Sequence, residues 1–349
     1  MLCRRASRRA WTYYKAMEKY RFIDLFSGIG GIRMGLEQTG RFECVKSYEI
    51  NKKACDTYEA NFGDNPFGDV TKIDADSLPK FDFIAGGFPC QSFSMAGWRL
   101  GFDDTRGTLF FEVAKLIKKT RPLAVLLENV RGLTNHDGGR TLAVILNVLR
   151  NDLGYATYSS ILNAKDFGVP QNRERIYIAA FSFVPECDFD AFGGGFSFPT
   201  GNGTSVTLRK FLESNVESNF YLSQKYMDGL KNHRKVQEEK GRGFGYEILD
   251  RDGIANAIVC GGMGRERNLI RDEPVGEYPA DRNTDRIRML TPRECARLQG
   301  FPDSFKTHPQ VAAAYRQFGN SVAVPVIRAI AERMAVALDK HQGIMSDRQ

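Results

Sequence analysis

Arg21-Phe22-Ile23-Asp24-Leu25-Phe26 runs straight into Ser27-Gly28-Ile29-Gly30-Gly31, and that junction decides the fold. A short apolar run that stops at a glycine-rich turn and continues as a helical stretch to about Gln38 reads as strand, turn, helix. The same unit recurs downstream. Residues 43–49 read as a second strand and 52–61 as a helix. Phe81–Ala85 reads as a strand ending at Gly86-Gly87, followed by a helix over 109–119. The wholly apolar Leu123–Leu127 fits a buried parallel strand. A helix over 140–149 and strands near 159–162 and 175–181 complete the series. Repeated strand–helix alternation predicts a doubly wound α/β fold with a mostly parallel sheet.

The rhythm stops after this. Residues 186–285 hold glycine clusters at 193–195, 201–203 and 261–264 and a basic run over 231–240. They predict a smaller, irregular domain of short strands and loops. Helix returns after Leu290, and a helix over 322–338 is expected to pack back on the first domain. The expected division is a basic, unstructured extension over 1–16, a catalytic domain over 17–188 and 306–349, and a β-rich middle domain over 189–305. Met17 is an alternative start.

The chain has 349 residues, with 49 Lys and Arg against 42 Asp and Glu, for a net charge of +7. This modest basic excess is compatible with nucleic acid without establishing it. The seven cysteines are scattered with no CxxC spacing, and the four histidines lie far apart. That pattern argues against a disulfide framework and a structural metal, and for a reducing, cytoplasmic setting. No apolar run approaches the roughly 18–20 residues of a membrane span.

Several residues can carry chemistry. The turn at 26–31 lets a ligand approach the backbone at a helix N-terminus, although a plain structural turn would read the same. Its FxGxGG spacing differs from the GxGxxG of dinucleotide enzymes, which disfavours an oxidoreductase. Glu49, near the second strand's end, is placed to accept hydrogen bonds from a ribose diol, or is a solvated strand-end charge. Asp69, at the next expected strand end, suits an adenine amine or a turn. Cys90 follows Pro89 at the carboxyl end of a strand, where open α/β sheets bind ligands; this favours a nucleophile over a buried structural thiol. Glu128 would project at the same edge as a general acid, or as a capping or ion-paired glutamate. Arg173 and Arg175, alternating around Glu174, would bring two cations there or form a surface ion-pair pattern.

In order, the chain carries DLFSGIGGIRMGL, Glu49, Asp69, GGFPCQSFS, ENV, QNRERIY, RECARLQGFPDSF and GNSVAVPV. This set resembles the bacterial DNA cytosine-5 methyltransferase family over residues 21–186 and 286–338. The resemblance implies S-adenosylmethionine as cofactor, with S-adenosylhomocysteine as product. It would be held by Phe26, Gly28, Ile29, Gly31, Glu49, Ile50, Asp69, Val70, Leu109, Asn320, Ser321 and Val322. It implies Pro89-Cys90 as the nucleophile pair, Glu128 as acid with Asn129 as its structural neighbour, and Arg173 and Arg175 at the base site. Double-stranded DNA is the implied partner, a restriction endonuclease an accompanying one, and a monomer the expected state. The implied chemistry adds Cys90 to C6 of a flipped cytosine, with residues 91–108 as a closing lid. Lys240, Arg242, Arg265 and Arg267 are candidates for DNA contact. The middle segment departs from the family: where a Thr-Leu pair is common, this chain reads Ile254-Ala255-Asn256-Ala257-Ile258-Val259. A tRNA cytosine methyltransferase and a catalytically silent DNA-binding module are the rival expectations.

Overall fold

The fold is taken from a computed structural model, which describes residues 19–89, 109–185, 195–203, 206–243, 245–260, 264–274 and 278–346. Cys90, the expected lid over 91–108 and the basic extension over 1–16 lie outside these residues.

A six-stranded sheet forms the centre, in the order β2-β1-β3-β4-β7-β5. The strands are β1 (Tyr20–Leu25), β2 (Phe42–Tyr48), β3 (Phe83–Gly87), β4 (Ala124–Val130), β5 (Ala156–Asn163) and β7 (Glu174–Phe181). Two-residue β6 (Gln171–Asn172) stands just before β7. Strand β7 alone runs against its neighbours β4 and β5, so the sheet is mixed but mostly parallel.

Strand periodicity sends alternate side chains to opposite faces. Phe22, Phe83 and Leu126 enter one core with α1 (Gly31–Glu37) and the last helix. While α2 (Lys52–Phe62) meets β2 through the hydrogen bond between the Tyr58 and Ser47 hydroxyls, Ile23, Leu25, Ile84, Val125 and Leu127 enter the other core. There α3 (Leu109–Thr120) and α4 (Arg140–Asn147) pack, α3 burying Phe110, Phe111, Val113, Ala114, Leu116 and Ile117 along one stripe. Because both faces are covered, the central strands read as continuous apolar runs. Asp24 breaks the run. It is fully buried, and among the described residues no side chain donates a hydrogen bond to it. Burial pushes its carboxyl up to about 8, against the pull of the Arg33 charge and main chain.

The middle segment carries the expected short strands: β8 (Ala255–Asn256), β9 (Leu269–Arg271) and β10 (Ile287–Met289). It also carries a 16-residue helix, α5 (Gln224–Glu239), where only short strands and loops were expected. Its buried residues are just Met227 and Leu230, so the apolar stripe is too thin to show through the basic run. Ser223 caps it by accepting the Tyr226 N–H.

Three further helices follow: α6 (Pro292–Leu298), α7 (Val311–Asn320) and α8 (Val324–Ser346). The boundary expected between 305 and 306 crosses a shared core. Leu208, Ile258, Leu298 and Phe305 pack with Phe318 and with Ile29 and Ala54 of the first domain. Burial of one apolar face against two neighbours joins what a change of sequence texture separates. Arg288 anchors the middle segment, fully buried between Asp272 (Nη2–Oδ2 2.8 Å) and Glu294 (Nη1–Oε2 2.9 Å).

Candidate active site

At the carboxyl ends of the central strands, where the order reverses at β1, lies a cavity of about 690 Å³. The described residues expected at the cofactor and base sites all line it: those at 26–31, Glu49, Ile50, Asp69, Val70, Pro89, Leu109, Glu128, Arg173, Arg175 and Asn320–Val322.

At one end the first turn is held by main chain and Glu49. Phe26 and Gly28 both adopt φ of +56°, and a Cβ on Gly28 would meet nothing within 4 Å. Glycine there allows the left-handed backbone and leaves approach room for a ligand. Glu49 Oε2 accepts the Gly28 N–H at 2.9 Å, and Oε1 accepts the Asn51 N–H at 2.7 Å. A carboxylate retains lone pairs for a diol beyond these two bonds. Ile50 lines the cavity while 67% exposed, an apolar surface available to a flat ring.

Asp69 does not end a strand as expected. It caps the single turn Val70–Lys72, its Oδ1 accepting from the Thr71 N–H at 2.9 Å and hydroxyl at 2.8 Å. Those bonds hold its carboxyl below its usual range. Gly31 serves the opposite wall: a Cβ there would lie 2.7 Å from Ser321 Oγ and 2.9 Å from Val322 Cγ2. Its lack of a side chain lets the loop 321–322 close against the first turn.

At the other end, Glu128 on β4 and Arg175 on β7 are paired, Nε to Oε1, at 3.1 Å, with side chains only 11% and 13% exposed. Burial raises the Glu128 carboxyl above its ordinary value, and the Arg175 and Arg173 charges oppose that shift. Asn129 donates from Nδ2 to the Phe88 carbonyl at 2.7 Å. It therefore fixes the chain two residues ahead of Cys90.

The two arginines differ. Arg175 reaches the carboxylate, whereas Arg173 is buried and donates to three main-chain carbonyls, those of Ile258, Gly319 and Ser321. The Glu174 carboxylate pairs with Arg131, and not with the flanking Arg173 or Arg175 that the ion-pair alternative expected. Lys240, Arg242, Arg265 and Arg267 are exposed and line no part of the cavity. The Arg265 guanidinium lies 5.4 Å from the Tyr315 ring centroid.

Sequence reasoning missed one wall. Gln310, Ala313, Gln317 and Asn320 border the cavity from α7 or its cap. Their spacing of three, four and three is that of one helix face, a signal available upstream of Asn320. Lys53 Nζ donates to Gln310 Oε1 at 2.6 Å, and Gln317 Nε2 donates to the Lys53 carbonyl at 2.7 Å. Among the described residues, no group of three or more His, Cys, Asp or Glu is placed to hold a metal ion, and no helix is long and apolar enough to cross a membrane.

The mixed, mostly parallel α/β sheet is of the S-adenosylmethionine-dependent methyltransferase type, and its cavity holds a glycine turn bonded to the Glu49 carboxylate and a buried acid–arginine pair. Residues 20–335 match the model of the C-5 cytosine-specific DNA methylases, and the chain belongs to that family. It is 51% identical over 327 residues to the Type II methyltransferase M.HpaII of Haemophilus parainfluenzae, covering 91% of this chain and 89% of the relative. It is 37% identical to the Type II methyltransferase M.HhaI of Haemophilus parahaemolyticus, covering 93% and 97%. Among solved structures, the Entamoeba histolytica methyltransferase EhMeth superposes with a TM-score of 0.71 at 18% identity, covering 92% of this chain and 99% of that one. That likeness concerns the fold.

Proposed function

We propose that the chain methylates C5 of a cytosine flipped out of a specific duplex DNA sequence, as the modification enzyme of a Type II restriction–modification system. The observation that carries the chemistry is the buried Glu128–Arg175 pair, beside a main chain that Asn129 ties down just before Cys90. The restriction–modification assignment follows the names of the relatives, and it implies a restriction endonuclease partner in the cytoplasm.

The residues present fit S-adenosylmethionine. Cavities of about 300–1,000 Å³ hold molecules of that size. Glu49 would take the ribose hydroxyls, Asp69 and the Val70 main chain the adenine edge, and Ile50 the adenine face. The 26–31 turn and Asn320–Val322 would enclose the remainder. When bound, the sulfonium supplies an electrophilic methyl group.

C5 of cytosine is a weak nucleophile. The Cys90 thiolate adds to C6, forming the S–C6 bond and making C4–C5 enamine-like. Glu128 donates a proton to N3 as that electron density arrives, and burial raises its carboxyl pKa in the direction that favours the protonated donor. Arg175 holds O2 and orients Glu128. Once C5 carries the methyl group, a base takes the C5 proton. The S–C6 bond then breaks, returning the thiolate and the N3 proton. A stacked cytosine cannot reach this cavity, so the base leaves the duplex. The enzyme acts as a monomer, with Lys240, Arg242, Arg265 and Arg267 facing DNA.

Duplex DNA carrying 5-fluorocytosine tests this directly, because fluorine at C5 prevents the final elimination. A denaturation-resistant adduct with wild type, absent in Cys90→Ser, is expected. Methylation of tRNA with none of duplex DNA would overturn the reading.

A further inference from the structure

Arg173 and Gln171 close on opposite ends of one peptide segment. Arg173 Nη1 donates to the Ile258 carbonyl at 2.6 Å, and the Ile258 N–H donates to Gln171 Oε1 at 3.0 Å. The same two side chains reach toward the far wall of the cavity, Arg173 directly and Gln171 by donating to Gln299 Oε1 at 3.3 Å. Arg173 Nη2 donates to the carbonyls of Gly319 at 3.0 Å and Ser321 at 2.5 Å. Gln171 Nε2 donates to the Leu298 carbonyl at 2.8 Å, and Gln299 Nε2 to the Phe318 carbonyl at 2.7 Å. Strand β6, which contains Gln171, pairs in parallel with β8 at 255–256.

The joint has no slack. A Cβ on Gly319 would stand 2.5 Å from the Cys260 nitrogen, so the 258–260 backbone lies directly on the chain that leads into Asn320–Val322. Arg173 is 2% exposed and Gln171 fully buried. Parting these segments would strand a buried guanidinium and several carbonyls, which is costly, so they move together or not at all.

We propose that Gln171 and Arg173 are positioning residues that couple the middle segment's grip on DNA to the cofactor wall at 319–322. The proposal rests on the DNA-methyltransferase reading above. A duplex that seats the 255–260 segment also seats Gly319–Ser321 through the shared guanidinium. Each ligand then binds more tightly in the presence of the other, and by the same factor in both directions. Arg173 accordingly acts through main chain, while Arg175 meets the base.

The test measures S-adenosylhomocysteine affinity by calorimetry, with and without a plasmid-derived duplex fragment that wild type methylates. The reciprocal measurement follows fragment affinity with and without S-adenosylhomocysteine. Wild type is expected to show mutual tightening of about 10-fold or more, within the usual range of such couplings. In Arg173→Ala and Gln171→Ala the factor falls below about 3-fold, and Arg173→Lys recovers part of it. Gly319→Ala wedges the same joint without altering a charge, and is read the same way if the alanine variants do not fold. A residue that only supports the fold would weaken each ligand alone and leave the factor intact; that result overturns the proposal. So does a wild type that binds both ligands independently. A wild type that binds neither would instead defeat the functional reading.

Discussion

Glu128 and Arg175 meet diagonally across two antiparallel strands. Arg175 stands opposite Val130 in the β4–β7 register, and its guanidinium reaches back to Glu128 at 3.1 Å. One reversed strand in an otherwise parallel sheet thus delivers a cation to the acid from the neighbouring strand end. The pair is buried yet unequal, since burial favours the neutral acid while the arginine favours the anion.

Glu128→Gln keeps the shape and removes the transferable proton. Its turnover should fall by about 10²–10⁴-fold, the usual worth of a placed acid. The wild-type rate should decline as pH rises through the raised Glu128 pKa, because the protonated form carries the reaction. The glutamine variant should lack that limb. A pH–rate profile of single-turnover methylation checks both, and an unchanged limb in the variant would assign the titration elsewhere.

Asn129→Ala leaves the Phe88 carbonyl without its side-chain donor. A buried group deprived of its partner costs about 1–3 kcal/mol. Adduct formation with 5-fluorocytosine DNA should also slow by roughly 10- to 100-fold, since small displacements of a nucleophile are expensive. Urea unfolding and trapping kinetics measure the two effects separately.

Asp24→Asn should change the pH dependence of stability. The folded carboxyl lies at about 8 against an ordinary value of 3.8, so it takes up a proton on folding at neutral pH. Its contribution is fully present below the unfolded value and is lost as pH rises through the folded one. Relative to wild type, the asparagine variant should therefore gain stability steadily between about pH 4 and pH 8 and level off above. Denaturation midpoints across that interval test this; a difference independent of pH would contradict it.

Arg288→Met leaves Asp272 and Glu294 facing each other without their shared cation. Loss of one member of a buried ion network costs about 3–5 kcal/mol. The expected readout is a lowered urea midpoint.

Much of the cavity's first wall was legible in the chain itself. The strand–turn–helix at 21–38 and the carboxylate at Glu49 are local features, and the structure places them on one cavity wall. The helix at 224–239 was not legible, because two buried residues hardly mark a face among charges. Asp69 lines the cavity as the cap of a turn, not as the strand end that the sequence suggested.

The order of motifs determined the family, the α/β fold and the residues that gather at the cavity, because strands, turns and glycine positions are dictated by near neighbours and by period. Only the tertiary structure decided how those residues divide their work. Asn129 lies 41 positions from Phe88, and Arg173 lies 85 from Ile258 and 148 from Ser321. No local preference encodes such bonds. They form because packing buries these polar groups together, and a buried donor must find its acceptor wherever the fold has brought one.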